Sequence, residues 1–192
     1  MSRRNLLIPA GIAALGIAAG ILAERVIVGR QVRYDPDAEE DFGALRGQTV
    51  TVIADDGVGL HVEIDDFRAP SVSDDLTVIF SHGYSLNQDS WHFQRRDLRP
   101  FARLVFADQR AHGKSKKGDR TRSNVDQLGF DLGRIVDEVG GDGPIVLVGH
   151  SMGGMSVMAL AAHRPELFTD GPIAGVALLA TTAGGLSESP FG

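Results

Sequence analysis

Apolar positions follow two different patterns along the chain. Residues 49–54 are mostly β-branched, residues 60–64 alternate apolar with polar side chains, and the turn Asp55–Gly57 lies between them. This arrangement predicts an antiparallel pair of strands. From Leu76 onwards the apolar runs are continuous, as in strands that are buried on both faces of a sheet. They occupy residues 76–80, 103–107, 145–148 and 173–179.

Segments with helical spacing separate these strands. Residues 89–90 can cap the first helix, and Ser123 followed by Asp126 resembles a capping box at the start of the second. A third helical segment covers residues 152–162. The apolar side chains of the second helix are Val125, Leu128, Leu132, Ile135 and Val139. Strands that alternate with helices predict an α/β fold with a mostly parallel, doubly wound sheet.

The N-terminal region has a different composition. Residues 6–23 carry no charge, consist mainly of Leu, Ile, Ala and Gly, and follow an arginine pair at 3–4. A bilayer core takes roughly 20 apolar residues, so residues 1–24 are expected to form a hydrophobic helix that anchors the chain or directs its export. A buried core helix is the third interpretation. Residues 25–48 are then a linker, and residues 49–192 the main domain.

Composition narrows the classes of function. The chain has 192 residues, a formal net charge of −6 and no cysteine. The negative charge argues against nucleic acid as a partner, because no broad basic surface is available to neutralise phosphates. The absence of cysteine excludes disulfides, thiolate metal sites and cysteine nucleophiles. No metal-binding or phosphate-binding motif occurs, so no cofactor is expected, and the oligomeric state is not indicated.

The stretch Gly149–Gly154 carries the strongest chemical signal. Its sequence, Gly-His-Ser-Met-Gly-Gly, follows an apolar strand and opens a helix. A strand, a sharp turn and a helix with Ser151 at the apex are the context of a nucleophile elbow. The free N–H groups at the start of that helix would stabilise negative charge developing beside the serine.

Three motifs follow predicted strands in order: His82-Gly83-Tyr84, Asp108 to Ser115, and Gly149–Gly154. Together they resemble the α/β-hydrolase superfamily and are similar to its membrane-linked or secreted bacterial esterases and lipases. The resemblance covers residues 49 to 179. The middle motif departs from the usual D-x-R-G-H-G-x-S pattern at Ala111, a position that is structural in the family.

This resemblance implies a reaction and a set of site residues. Ser151 would be the nucleophile, and the backbone N–H groups of Met152 and Tyr84 would form the oxyanion hole. Alternatively, the Tyr84 side chain shapes the acyl pocket. Epoxide hydrolases and haloalkane dehalogenases share the fold but carry aspartate at the Ser151 position, so Ser151 favours acyl transfer. We therefore expect a serine hydrolase, esterase-like or lipase-like, that acts on a small-molecule ester or lipid. Thioesterase, amidase and peptidase activities would use the same residues.

Other polar and sulfur-bearing residues receive structural interpretations. Asp108 is expected to hold the turn after its strand. The methionines at helical spacing are expected to pack: Met152, Met155 and Met158. The histidines are expected to brace loops, to point away from Ser151 or to lie too far from it: His82, His112, His150 and His163. A basic loop is expected to be solvated or to contact anionic lipid headgroups: Lys114, Lys116, Lys117, Arg120 and Arg122.

The base and the acid of a catalytic triad are not evident. In α/β-hydrolases the acid and then the histidine follow the nucleophile along the chain. Glu188 is a candidate acid, but His163 is the only histidine after Ser151. We therefore expect the N-terminal part of a longer hydrolase, truncated after the sixth strand, with its acid and histidine beyond residue 192. The alternative is an inactive fragment or a membrane-tethered binding module. The expected location is membrane-anchored or exported, in a bacterial cell envelope or outside the cell.

Overall fold

The computed structural model describes residues 37–67 and 75–184. Within these residues the strands are β1 (Gln48–Ile53), β2 (Gly59–Asp65), β3 (Thr77–Ser81), β4 (Arg103–Ala107), β5 (Ile145–His150) and β6 (Ile173–Leu179). They form one sheet in the order β1-β2-β4-β3-β5-β6. The predicted α/β class and the mostly parallel sheet are confirmed.

One edge of this sheet gathers the sequence motifs. β3, β4, β5 and β6 pair in parallel, whereas β2 runs antiparallel to both β1 and β4. The carboxyl ends of the parallel strands therefore meet at one edge. The β1–β2 turn lies at the same edge, because the Asp108 N–H beyond β4 donates to the His61 carbonyl, 2.9 Å away. Ligands of open α/β sheets bind at this edge.

The helices are α1 (His92–Leu98), α2 (Val125–Val139), α3 (Met152–His163) and α4 (Glu166–Thr169), with 3-10 turns at Gln88–Trp91 and Arg120–Arg122. Two predicted caps were wrong by a few residues. Asn124, not Ser123, caps α2, and its side chain accepts from the Gln127 N–H at 2.8 Å. Asn87, not residues 89–90, caps the turn before α1.

Helices cover both faces of the sheet. On one face, α2 and α3 pack Leu132, Ile135 and Leu160 against the buried sheet residues Ile79 and Leu147. On the other face, an aromatic cluster covers the central strands. There Phe80 stacks on Phe106 at 4.8 Å between ring centroids and contacts Trp91 at 5.1 Å. The central strands are therefore buried on both faces, as their continuous apolar runs predicted.

A buried ion network ties α1 to β2. Arg95 donates two hydrogen bonds of 2.7 Å to Asp65 and lies 2.9 Å from a carboxylate oxygen of Glu63. Arg99 donates a further bond of 2.7 Å to Asp65. Burial by itself raises the pKa of both carboxyl groups, but the hydrogen bonds and charges of the arginines outweigh it. The pKa values of Glu63 and Asp65 therefore lie below their ordinary range.

The predictions for residues 1–48 concern a region of which the structure describes only residues 37–48. The apolar segment 6–23 lies outside the described residues, and no helix within the described ranges is long and apolar enough to cross a membrane. The Phe42 ring lies 5.1 Å from that of His92, and the Gly43 N–H donates to His92 Nδ1 at 3.1 Å. Contacts of the sheet-bearing unit thus extend to residue 42. The predicted limits at 24 and 48 stay predictions.

Candidate active site

Ser151 occupies a sharp turn between β5 and α3. Its φ of 52° and ψ of −116° place its backbone in a region that favours glycine. The turn is held by the neighbouring strand: the Ser151 N–H donates to the Leu179 carbonyl at 2.9 Å. The Thr181 hydroxyl donates to the Ser151 carbonyl at 2.7 Å. The sequence therefore does form the strand–turn–helix that an elbow requires, with the serine half-buried at its apex.

Two glycines allow this turn to close. A Cβ atom at Gly149 would lie 2.6 Å from the Gly153 carbonyl oxygen, and one at Gly153 would collide with the Ser81 carbonyl oxygen. Each of these Cβ atoms would come closer to a backbone oxygen than van der Waals contact allows, so a side chain at either position would push α3 away from the strands. The glycines of the G-x-S-x-G pattern are thus required by the close approach of backbone to backbone.

The loop after β3 lies directly against the turn. A Cβ atom at Gly83 would lie 3.3 Å from the Ser151 Cβ and 2.9 Å from His150 Nδ1. Tyr84 follows Gly83 directly, its side chain is 73% exposed, and it lines one cavity together with Met152. Met152 is the first residue of α3, and the first N–H groups of a helix have no partner within it. The structure therefore brings together the three predicted site residues, Ser151, Met152 and Tyr84.

His82 braces this loop from inside. The ring is fully buried; Nε2 accepts from the Gln109 N–H at 3.0 Å, and Nδ1 donates to the Gly83 carbonyl at 2.8 Å. Burial lowers the pKa of His82 below its usual value. Because both ring nitrogens are hydrogen-bonded, the neutral His82 ring holds the loop after β3 against the loop after β4. The sequence did not point to Gln109 as its partner.

The remaining polar candidates near the motifs are also engaged elsewhere. The Asp108 carboxylate accepts from the backbone N–H groups of Gln88 and Lys114, both at 2.8 Å. His112 Nδ1 donates to the Arg110 carbonyl at 2.9 Å. His163 Nε2 lies 2.9 Å from an Asp126 oxygen. Within residues 37–67 and 75–184, no histidine is hydrogen-bonded to the Ser151 hydroxyl.

Arg110 fixes the loop after β4. Its guanidinium donates to Asp131 on α2 at 2.6 and 2.7 Å and to Asp56 in the β1–β2 turn at 2.9 and 3.2 Å. The side chains of Arg110 and Asp131 are 3% and 6% exposed. The Arg110 hydrogen bonds, opposed by some burial, hold the pKa of Asp56 below its ordinary range. The same two carboxylates, despite desolvation, raise the pKa of Arg110.

Three cavities are lined by residues of the turn or of the helix that follows it. One of about 240 Å³ contains Tyr84, His112 and Met152. A second of about 250 Å³ contains Leu86, Trp91, His150 and Leu179. The third, of about 400 Å³, lies between the start of α2, α3 and the segment after β6. Small-molecule sites have volumes of about 300–1,000 Å³. Among the described residues no group of three or more histidines and carboxylates is arranged to hold a metal ion.

The methionines of α3 differ from the sequence expectation. Met152, Met155 and Met158 are each half-buried, and each lines a cavity next to the turn instead of filling the core. Helical spacing shows that the three share a face, but not what lies opposite that face. The spacing of Met155 and Met158 from Ser151, four and seven residues along one helix, was the available signal.

Known proteins resemble this chain over the same region. Residues 78–191 match the Alpha/beta hydrolase family. The chain is similar to Protein phosphatase methylesterase 1 from Bos taurus, with 30% identity over 141 residues that cover 70% of this chain and 36% of that protein. It is also similar to Epoxide hydrolase 1 from Caenorhabditis elegans, with 33% identity over 97 residues, 50% of this chain and 24% of that protein.

A solved esterase structure is also similar to this chain. A thermophilic esterase from Thermogutta terrifontis matches with a TM-score of 0.56 and 27% identity, over 71% of this chain and 47% of that one. The chain thus spans less than half the length of each of these relatives. Because the family match extends from β3 past β6, over more than half of the sequence, the chain belongs to the Alpha/beta hydrolase family.

Proposed function

We propose that this chain is part of a serine hydrolase that acts on carboxylic esters. The observation that carries the proposal is the backbone of Ser151, with φ 52° at the start of α3 and against the loop of Gly83. A serine at the start of a helix, where the first backbone N–H groups have no partner within the helix, supports acyl transfer as the reaction.

Each site residue has a defined role in this reaction. The Ser151 Oγ forms a bond to the acyl carbon while its proton passes to a base, and the carbonyl oxygen gains negative charge. The N–H groups of Met152 and Tyr84 donate to that oxygen. Collapse of the intermediate breaks the ester C–O bond, and the alcohol leaves with a proton. Water then releases the acid from the serine. One such N–H donor contributes about 2.7–4 kcal/mol to transition-state stabilisation.

The nucleophile also separates ester hydrolysis from epoxide hydrolysis. Attack by a serine hydroxyl on an epoxide carbon would leave the enzyme joined to the product by an ether bond, which water does not hydrolyse at neutral pH. A carboxylate nucleophile would leave an ester, which water can cleave. Ser151 therefore supports an acyl substrate, in agreement with the methylesterase and esterase names among the relatives. Thioesters, amides and peptides pass through the same acyl intermediate.

The base and the acid of this reaction are proposed to come from beyond residue 192. His82 and His163 have partners of their own, at 3.0 and 2.9 Å, and the relatives are more than twice as long as the matched region. Glu188 lies outside the described residues. The lack of a base at Ser151 among the described residues is also the observation that favours the second candidate, an inactive fragment or membrane-tethered binding module.

Fluorophosphonate labelling of source-cell membranes and supernatant tests the proposal. We expect a labelled band in the wild-type strain that is absent in a Ser151→Ala strain and heavier than the 20.5 kDa of this chain. Ser156→Ala is the matched control: this serine lies on the same helix, but its hydroxyl is buried and donates to the Met152 carbonyl at 3.0 Å. Labelling that survives Ser151→Ala would refute the nucleophile. A 20.5 kDa product that never reacts would favour the inactive fragment.

We also propose, from the sequence alone, that residues 6–23 place the protein at the cell envelope or direct its export. The uncharged Leu-, Ile-, Ala- and Gly-rich composition behind an arginine pair supports this proposal. Fractionation with alkaline carbonate tests it. Recovery of the intact protein in the pellet supports an anchor, a shortened protein in the supernatant supports a cleaved signal, and intact protein in the cytosolic fraction contradicts both.

A further inference from the structure

All the lysines of the sequence lie in one short loop. Lys114, Lys116 and Lys117 are the only lysines among the 192 residues, and the other permanently charged basic residues are arginines. The chain as a whole has a formal net charge of −6. Arginine suits paired contacts with carboxylates, whereas the lysine ammonium is a strongly hydrated point charge on a flexible stem. The basic loop therefore differs in chemistry from the positive charge elsewhere in the chain.

Backbone hydrogen bonds hold this loop against the sheet. The Lys114 N–H donates to the Asp108 carboxylate at 2.8 Å, and the Lys116 N–H donates to the Gly59 carbonyl at 2.9 Å. The Lys116 carbonyl accepts from the Ala111 N–H at 3.0 Å. The lysines themselves are exposed. The backbone is thus fixed at the carboxyl edge of the sheet, so little backbone order has to be gained when the loop binds a partner.

Most of the charge in this loop is not neutralised. Arg122 lies 2.6 Å from an Asp55 oxygen, and the Lys114 Nζ lies 3.5 Å from an oxygen of Glu63. The Asp119 carboxylate accepts at 2.8 Å from the N–H and the hydroxyl of the residue two positions further on. Within residues 37–67 and 75–184, three cations of the loop form no ion pair with a carboxylate: Lys116, Lys117 and Arg120.

An exposed aromatic ring lies next to the loop. The Tyr84 side chain is 73% exposed, and its ring lies 5.6 Å from the ring of His112, two residues before Lys114. Tyr84 and His112 also line the cavity of about 240 Å³ that contains Met152. Tyrosine is enriched where a bilayer meets water, because one end of the ring is apolar and the other forms hydrogen bonds. One edge of the sheet therefore presents both unpaired cations and an amphipathic ring.

We propose that the basic loop is a docking surface for anionic lipid headgroups and holds the carboxyl edge of the sheet against a membrane. A long polyanion such as nucleic acid would also meet the acidic remainder of the chain, whereas a membrane meets one face only. Residues 6–23, proposed above as an anchor, would keep the domain close to a bilayer, and the loop would decide which edge faces it. Each Lys or Arg near an anionic membrane tightens binding about fivefold, so the three unpaired cations contribute about a hundredfold. The inference does not depend on the chemistry at Ser151.

The restriction of lysine to this loop allows amine acetylation to report on it. The full chain is reconstituted into vesicles of phosphatidylcholine alone, or of phosphatidylcholine and phosphatidylglycerol in equal amounts. Acetylation of Lys114 is then followed by mass spectrometry. We expect it to be about tenfold or more slower on the anionic vesicles. The difference should disappear in about 1 M NaCl, at which the Debye length is about 3 Å. Equal rates on the two kinds of vesicle would overturn the proposal without the use of any variant.

A triple variant tests whether the unpaired cations cause the protection. Lys116→Gln, Lys117→Gln and Arg120→Gln together leave Lys114 as the reporter and keep the backbone hydrogen bonds of the loop. A loss of about a hundredfold in docking should abolish the protection of Lys114. The urea midpoint should stay unchanged, because these side chains have no ion-pair partner among the described residues.

A second triple variant is the matched control. It removes the same number of positive charges from exposed ion pairs elsewhere: Arg96→Gln, Arg134→Gln and Arg164→Gln. It should keep the protection of Lys114. Equal loss in the two triple variants would attribute the effect to net charge and refute the docking surface. Protection by soluble polyglutamate but not by anionic vesicles would identify an acidic protein as the partner and would also refute the membrane contact.

Discussion

Replacing Arg110 with methionine should destabilise the fold more than any surface substitution. Methionine keeps much of the length and apolar surface of the side chain but removes the guanidinium. The loop after β4 then loses the four hydrogen bonds that Arg110 donates to Asp131 on α2 and to Asp56 in the β1–β2 turn. Asp131, whose side chain is 6% exposed, would stay in its apolar surroundings without its main partner. Asp56, at 10% exposure, keeps Arg122 at 3.7 Å.

The expected loss of unfolding free energy follows from the difference between the two carboxylates, because Asp131 loses its main partner whereas Asp56 keeps Arg122. Removal of one partner from a buried ion pair costs about 3–5 kcal/mol, largely because the remaining charge stays buried. Most of that cost belongs to Asp131, so replacing both partners should restore stability. The double variant Arg110→Met, Asp131→Leu should lie within about 1–2 kcal/mol of wild type, since an apolar pair of similar volume is often neutral.

Urea unfolding of purified protein at neutral pH measures these differences. Arg134→Met is the matched control, because Arg134 lies on the same helix in an exposed pair with Glu138. Such a pair contributes only about 0.3–0.5 kcal/mol.

The folded pKa of Asp56 lies below its unfolded value of about 3.9, so its stabilisation is present above that value and lost as the pH falls through the folded pKa. The gap between wild type and Arg110→Met should therefore narrow in acid. A cost below about 1 kcal/mol, or a double variant as unstable as the sum of the singles, would refute the reasoning.

Three further predictions concern other parts of the molecule. Gly153→Ala should lower the urea midpoint sharply and abolish fluorophosphonate labelling, whereas Gly175→Ala, whose Cβ would have 3.7 Å of clearance, should do neither. Because the folded pKa values of Glu63 and Asp65 are depressed, their stabilisation is present above about pH 4 and lost as pH falls through the folded pKa values, so Asp65→Asn should flatten the acid limb of a stability–pH curve. Because burial lowers its pKa, His82 should titrate below its ordinary range in ¹⁵N NMR spectra, with its proton on Nδ1 in the neutral form, and titration in the ordinary range would contradict this prediction.

Much of the fold follows from local patterns. The strands 103–107 and 173–179 were predicted with the bounds that the structure gives them. Caps were less certain, because Asn, Asp and Ser side chains can all accept a backbone N–H. The residue that caps is the one whose backbone is extended just before the helical turn. This residue is Asn124 before α2 and Asn87 before the 3-10 turn at Gln88–Trp91.

The candidate site was predicted where its residues are close in sequence, and less well elsewhere. The turn at Ser151 is local, so its motif was sufficient to locate it. The partners of Arg110 lie 54 and 21 residues away, and no spacing rule connects them. The methionine face of α3 was misjudged for a related reason: whether a face is core or cavity depends on what the rest of the chain places opposite.

The backbone conformation of Ser151 also bears on why a serine is present there. A non-glycine residue with φ 52° and ψ −116° carries a conformational cost of about 1–3 kcal/mol, which glycine would avoid. The tight contacts around Gly149 and Gly153 already require glycine on both sides, so a third glycine would be the most stable choice. The chain instead accepts this cost at Ser151, as it does at three other described non-glycine residues with positive φ, Ser85, Ala111 and Ala180. Under the proposed function, the hydroxyl kept at Ser151 is what this loss of stability provides.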